Sequence, residues 1–312
     1  MMTNRIPLKA IALMGATGSG KSSLAMDLAS ADDTCLISCD SMQVYRGLDI
    51  GTAKPTKAEQ QKVRHALIDC ADISEIWSAQ TWADAARSVI QHENSQGKTP
   101  IIVGGTGMYL KALIEGFAQV PAEKEGVREH FEAVQQQMGT PYLHAQLKLV
   151  DEKLANRLEA QDSQRIIRGL SVFESTGIPL STWHQKQDNA KAWAKNSISC
   201  PVFVLEVDRE RLRERIALRF HQMLEQGWLE ETKWLREQHV PDTHPVMRAV
   251  GYRQLLNHLE GQCDLDEAVL DGITATRRYA KRQRTWFNNQ TPDAVRGDAT
   301  FLITAISQCQ EG

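Results

Sequence analysis

Residues 15–22, GATGSGKS, have the spacing G-x-x-x-x-G-K-[ST]. The backbone N–H groups of such a loop, with those of the helix that follows, form an anion site. Lys21 adds a point charge there. Ser22 offers its hydroxyl to the Mg²⁺ that a bound diphosphate or triphosphate needs for neutralisation. Gly18 and Gly20 let the backbone curl close to a ligand with no Cβ in the way. The pattern predicts a pyrophosphate or triphosphate ligand, a nucleotide such as ATP included, but not which reaction follows.

Three further groups could do chemistry near such a ligand. Asp40 follows the strand-like run TCLISC at 34–39, and Thr106 follows the run IIVGG at 101–105. In open parallel sheets ligands sit at the carboxyl ends of the strands, so both residues are predicted to stand at that edge. Asp40 can face whatever the phosphate loop holds, hold Mg²⁺ through water, or cap a turn or helix; Thr106 can offer a hydroxyl to a ligand or cap the next helix. Arg215 and Arg219 are four apart on one helical face, suited to gripping a pyrophosphate or to surface ion pairs.

The elements that must position these groups read as alternating strands and helices. LKAIALM at 8–14 is a buried strand before the phosphate loop, and a first helix covers 23–30. RGLDIGTAKPTK at 46–57 is an ordered loop over the site, with Lys54 and Lys57 flanking Pro55. AQTWADAARSVIQ at 79–91 is an amphipathic helix with Ala83, Ala86, Val89 and Ile90 inward. Residues 111–200 are mostly helical in pattern, with DEKLANRLEA and DSQRIIRGLSVFESTG as two of the helices and HQKQDNAKAWAKNS as a polar return. PVFVLEV at 201–207 returns to the sheet, and Asp208 caps the helix that starts at Arg209. VMRAVGYRQLLNHLE at 246–260 reads as a helix with Gly251 inside it. In the long helix 268–287, Arg277, Arg278, Lys281, Arg282 and Arg284 fall within eight positions. The expectation is an α/β fold with a parallel sheet like that of phosphate-loop nucleoside triphosphate hydrolases, flanked by helices. A core of 1–116 and 201–312 would carry a mainly helical insertion and return segment at 117–200.

The chain has 312 residues, 42% hydrophobic content and a formal net charge of −3. A polyanion partner such as RNA would therefore be held by a local patch, and the basic helix supplies one. No apolar run approaches 18 residues, so no membrane span is expected, and MMTNRIPLKA is too short and polar for a secretory leader. The six cysteines, Cys35, Cys39, Cys70, Cys200, Cys263 and Cys309, form no C-x₂-C pair. A reducing cytoplasm is the natural reading.

GATGSGKS, DSMQVYRGLDIGTAKPT, VGGTGMYLKAL, QRIIRGL, RFHQMLEQG, VGYRQ and TRRYAKRQRTWF, in this order, resemble the motifs of bacterial tRNA dimethylallyltransferases, also called isopentenyltransferases. The resemblance covers nearly the whole chain. It implies transfer of a dimethylallyl group from dimethylallyl diphosphate to N6 of adenosine 37, beside the anticodon, in tRNAs reading codons that begin with U. It implies Asp40 as the general base and Thr106 as a hydroxyl that helps hold the amine. Gly15, Ala16, Thr17, Gly18, Ser19, Gly20, Lys21, Ser22 and Arg219 would bind the diphosphate, with Mg²⁺ on Ser22. The matched tRNA-contact regions are Asp40, Ser41, Met42 and Gln43; Gln164, Arg165, Ile166, Ile167 and Arg168; and Arg248, Ala249, Val250, Gly251, Tyr252 and Arg253. Arg128 matches a further contact, and Lys281, Arg282 and Arg284 of the basic helix extend the surface. The partners implied are the anticodon stem-loop of tRNA and dimethylallyl diphosphate, with the protein a monomer.

The chain departs from the family pattern at Ala16 and Gly18, where proline and alanine are commoner, and at Glu159-Ala160-Gln161, where a histidine-proline-asparagine run is usual. The motif glycines and Lys21 are kept; local tRNA contacts near 159–161 would differ. Two other functions share the phosphate loop: an ATP-dependent small-molecule or nucleoside kinase, and a nucleotide-gated RNA-binding protein. A kinase explains neither the basic helix nor the helical insertion.

Overall fold

The strand that leads into the phosphate loop is central because it is apolar on both faces, and parallel strands need both faces covered. The computed structural model describes residues 7–29, 34–116, 120–185 and 198–311. Strand β2 (Ile11–Gly15) is buried at every position. It pairs in parallel with β5 (Ile101–Gly104) on one side and β7 (Val202–Leu205) on the other. Beyond these lie β3 (Cys35–Cys39), β4 (Arg64–Ala66) and β8 (Val295–Gly297), giving an all-parallel sheet in the order β4-β3-β5-β2-β7-β8. The chain passes from β2 to one side and later from β5 to the other, so β2 and β5 flank the reversal where such folds bind ligands.

The run 8–14 is two strands, not one. Leu8–Lys9 (β1) pairs separately with Ile198–Ser199 (β6), and the main ladder starts at Ile11. Pro201, which has no N–H to donate, separates β6 from β7. Helix α1 (Lys21–Leu28) packs Leu24 and Ala25 onto the sheet with Leu302 and Ile306 of α13 (Ala299–Glu311). Helix α3 (Ala79–Ser95) buries Trp82, Ala83, Ala86 and Ile90, while Val89 is only half-buried. Strand β4 spans only three residues and is preceded by α2 (Lys57–Lys62), which a Thr56–Glu59 capping box starts.

The chain divides into two compact units, Met1–Ile114 with Asn196–Gly312, and Glu115–Lys195. Helix α4 (Gly107–Glu115) ends the first stretch of the sheet unit. The second unit holds α5 (Val127–Met138), α6 (Thr140–Val150), α7 (Glu152–Ala155) and α8 (Ser163–Thr176) around Leu143, Leu147, Ile166, Ile167 and Leu170. The helix expected over DEKLANRLEA is a single turn. Residues 156–162 are turns, and Asp162 then caps α8 by accepting from Arg165 N. Of the polar return at 184–197, residues 186–197 lie outside the described residues, as do residues 1–6 of the supposed leader-free start.

In the second half, α9 (Arg209–Glu225) is capped by Asp208 and buries Leu212, Ile216, Phe220 and Met223. It is followed by α10 (Trp228–Glu237), α11 (Tyr252–Leu259) and the 26-residue α12 (Leu265–Gln290). The helix expected over 246–260 starts only at Tyr252. Gly251 has φ 92°, which no helix interior allows, so it stands at the boundary, and residues 246–250 are turns. A Cβ at Gly251 would lie 2.1 Å from the Trp228 ring. Among the described residues no helix is long and apolar enough to cross a membrane.

Candidate active site

The phosphate loop is shaped by left-handed glycines, Gly18 at φ 83° and Gly20 at φ 95°. Gly20 is the cap of α1 and has no side chain to occupy the first helical N–H groups. At α3 and α9, by contrast, Ser78 and Asp208 fill that role. Those open donors and the helix dipole favour an anion at Lys21 and Ser22. Desolvation lowers the Lys21 ammonium from 10.5 to about 8; Asp40 opposes that shift and Arg219 adds to it. Burial likewise lowers the Arg219 guanidinium, against the pull of Asp40. Arg215 is not a surface ion pair, since its Nη1 donates to Ser19 O at 3.1 Å. Gln283 of α12 ties the loop to the sheet: its Oε1 accepts from Thr17 N at 2.8 Å and its Nε2 donates to Gly105 O at 3.0 Å.

The ends of β3 and β5 carry the second cluster. Asp40 Oδ1 accepts from Met42 N at 2.9 Å, so the carboxylate also caps its own turn and leaves Oδ2 over. Thr106 does not cap α4 with its hydroxyl; Oγ1 accepts from Ser41 N at 3.1 Å. The Tyr279 hydroxyl is raised to about 12, first by burial and then by Asp40, with hydrogen bonds to Thr106 and Gln283 opposing. Gln43 uses all of its amide: Oε1 accepts from Ser38 Oγ, and Nε2 donates to the carbonyls of Thr52 and Ala53 at 3.1 Å each. Lys54 is buried against Asp49, Asp69 and the Tyr45 carbonyl, so it holds its loop together instead of offering charge to a ligand.

One cavity of about 460 Å³ brings most of these groups together. Thr17, Gly18, Lys21, Ser22 and Arg219 line it from the phosphate loop and α9. Asp40, Ser41, Met42 and Gln43 line it from β3, and Arg248, Ala249, Val250 and Tyr252 from the stretch before and at the start of α11. Arg282 lies on its wall with its guanidinium over the Tyr279 ring. Gly15, Ala16, Ser19 and Gly20 shape the loop behind the wall. Thr106 also stands behind it, in contact with Ser41 and Tyr279. Gly251 is buried at the cap, and Arg253, Lys281 and Arg284 are exposed outside the cavity.

The remaining expected tRNA contacts belong to the helical unit. Arg128 and Arg168 both pair with Glu123, Arg128 through Nε and Nη2 at 3.0 Å each. Gln164 and Arg165 are exposed on the first turn of α8. Ile166 and Ile167 are not surface contacts: their side chains are buried in that unit's core. Sequence reasoning missed Gln283, Tyr279, Trp228 and Glu231 as parts of the site. The first two lie inside the motif TRRYAKRQRTWF, but only the fold shows what they hold.

The model of the IPP transferase family matches residues 43–290. A tRNA dimethylallyltransferase of Azorhizobium caulinodans is 41% identical over 298 residues, 96% of this chain and 95% of that protein. One of Halorhodospira halophila is 42% identical, covering 95% and 94%. The crystal structure of the full-length tRNA isopentenylpyrophosphate transferase of Bacillus halodurans superposes with a TM-score of 0.69 at 33% identity, over 97% of both chains. A eukaryotic dimethylallyltransferase seen acting on tRNA gives 0.75 at 26% identity, over 93% of this chain and 74% of that one. With a match that spans both units and every stretch lining the cavity from Gln43 to Arg282, the chain belongs to the IPP transferase family.

Proposed function

We propose that this protein is a tRNA dimethylallyltransferase that moves the five-carbon allylic group of dimethylallyl diphosphate to N6 of adenosine 37 in tRNA, releasing diphosphate. The observation that carries this reading is one cavity holding an uncapped helix start with Lys21 and Arg219 together with a carboxylate, Asp40. A kinase would use the first group for a nucleotide; an allylic diphosphate uses it for a leaving group. As the allylic C–O bond breaks, charge grows on the departing diphosphate, and preorganised N–H donors, Lys21 and Arg219 stabilise it. The exocyclic amine is a weak nucleophile, and the carboxylate of Asp40 accepts its proton as the N–C bond forms. Thr106 acts on the amine through the turn it fixes at Ser41. The base reaches the cavity from an unstacked anticodon loop, where extrusion costs least. Exposed Lys281 and Arg284, with Arg282 on the wall, draw the tRNA backbone, and Gln164, Arg165, Arg168 and Arg128 add contacts from the helical unit.

The donor set fits Mg²⁺: the Ser22 hydroxyl is an exposed hard oxygen beside Lys21, and Mg²⁺ takes its other ligands from phosphate and water. Ser22 would hold it there, where its charge would offset that of the diphosphate. The protein is read as acting as a monomer in the cytoplasm.

The test is one reaction with purified protein, Mg²⁺, dimethylallyl diphosphate and unmodified tRNA, without ATP, followed by digestion and mass spectrometry of the nucleosides. An adenosine heavier by one dimethylallyl unit in place of hydrogen is expected. No such product, with phosphate transfer or release once ATP is added, would overturn the reading.

A further inference from the structure

Among the described residues of the sheet unit, the carboxylate of Glu231, in the first turn of α10, is the most heavily used side-chain acceptor. Its Oε2 accepts from Asp49 N and Ile50 N, both at 2.7 Å. Its Oε1 accepts from Gly51 N at 2.9 Å and from the Tyr252 hydroxyl at 2.5 Å. An ionised carboxylate has about four lone-pair sites, and here all are filled. The donors come from two places far apart in the chain, the 49–51 segment and Tyr252. Trp228, one turn earlier on the same helix, is buried between two glycines: a Cβ at Gly51 would lie 1.9 Å from its Nε1, and one at Gly251 would lie 2.1 Å from its ring. From its other side the loop is held by Gln43, through the carbonyls of Thr52 and Ala53. Gly51, Thr52, Trp228 and Tyr252 all line the cavity. Glu231 touches none of the reacting groups; it holds the residues that form the wall.

We propose that Glu231 is a positioning residue that clamps the 49–51 segment to Tyr252 and so closes the aromatic wall that keeps water from the allylic group. The inference rests on the proposed transfer. An allylic carbon losing diphosphate is open to water as well as to the amine. In that side reaction a water oxygen bonds to the carbon, the C–O electron pair leaves on diphosphate, and the water proton goes to solvent, giving dimethylallyl alcohol. A loosened wall admits that water.

The experiment compares wild type, Glu231→Gln and Tyr252→Phe for diphosphate released per modified adenosine, and for hydrogen exchange at Asp49, Ile50 and Gly51. Glutamine keeps the shape but puts an N–H₂ against two donors, an outright mismatch. We expect a ratio near one in wild type, a rise of about three- to tenfold in Glu231→Gln with faster exchange of the three amides, and a smaller rise in Tyr252→Phe. If Glu231→Gln does not fold, Tyr252→Phe carries the test alone. A ratio that stays near one in the folded variants, including a loss of transfer that merely follows a lost melting temperature, overturns the proposal. Wild type that modifies no tRNA overturns the transferase reading instead, and the exchange rates still report on the clamp.

Discussion

The phosphate loop and the Asp40–Pro55 segment border the same cavity, yet they are held in opposite ways. The phosphate loop gets its shape from neighbours in sequence: a buried strand before it, left-handed glycines within it and an uncapped helix after it. Its long-range ties are few, chiefly Gln283 and Arg215. The Asp40–Pro55 segment has almost no regular structure, and its shape comes from Glu231, Tyr252, Trp228 and a buried Lys54 pair. On the proposed reading, local geometry prepares the site for the leaving group, while tertiary packing prepares it for the acceptor and the allylic tail.

The contrast can be broken most sharply at Asp40. Asp40→Ala should cut transfer by about 10²–10⁴, the usual worth of a proton acceptor, with tRNA affinity nearly unchanged. Affinity that falls while the rate of bound complex survives would remove Asp40 as base. On the phosphate side, kcat/KM for dimethylallyl diphosphate should fall about tenfold per pH unit above about 8, where the free protein loses the Lys21 proton. Once the diphosphate is bound, its charge holds that proton, so kcat should decline only at higher pH. A kcat/KM that stays level up to pH 10 would mean that Lys21 is not part of donor binding. Gln283→Leu removes the principal long-range tie of the phosphate loop and should raise KM for the donor by about tenfold. No change would make that loop wholly local.

Two smaller effects sharpen the same comparison. Gly97 and Gly251 both have positive φ, but a Cβ at Gly97 meets nothing within 4 Å. Gly97→Ala should cost about 1 kcal/mol, from the backbone alone. Gly251→Ala should cost about 2–4 kcal/mol, because Trp228 must also move. Equal drops in melting temperature would show that the indole contact is soft. Lys281→Ala, on the exposed face of α12, should weaken tRNA binding only a few-fold while lowering the salt slope by about one. An unchanged slope would place the tRNA backbone elsewhere.

The same division explains what could be read before the fold was known. GATGSGKS, the strands ending at Cys39 and Gly104 and the Asp208 cap follow from residue type and short spacing. The placing of 246–251 failed because Ala249, Val250 and Gly251 match a helical pattern locally, while Trp228, more than twenty residues earlier, decides the backbone at Gly251. Ile166 and Ile167 share a motif with Arg165 and Arg168, and only the packing shows that the isoleucines point inward. Glu231 sits in an ordinary run of glutamates, LEET; nothing in its neighbours signals partners some 180 residues away.

The phosphate loop is made early and completed late. Its Thr17 amide waits for Gln283, and Leu24 and Ala25 of its helix are covered by Leu302 and Ile306. On the ribosome, the first-made motif would emerge with its helix bare, and α1 would gain its cover only after α13 has been synthesised. A nascent chain shorter than that should bind allylic diphosphate poorly, however complete its motif, so the growing polypeptide would not sequester the donor while still being translated.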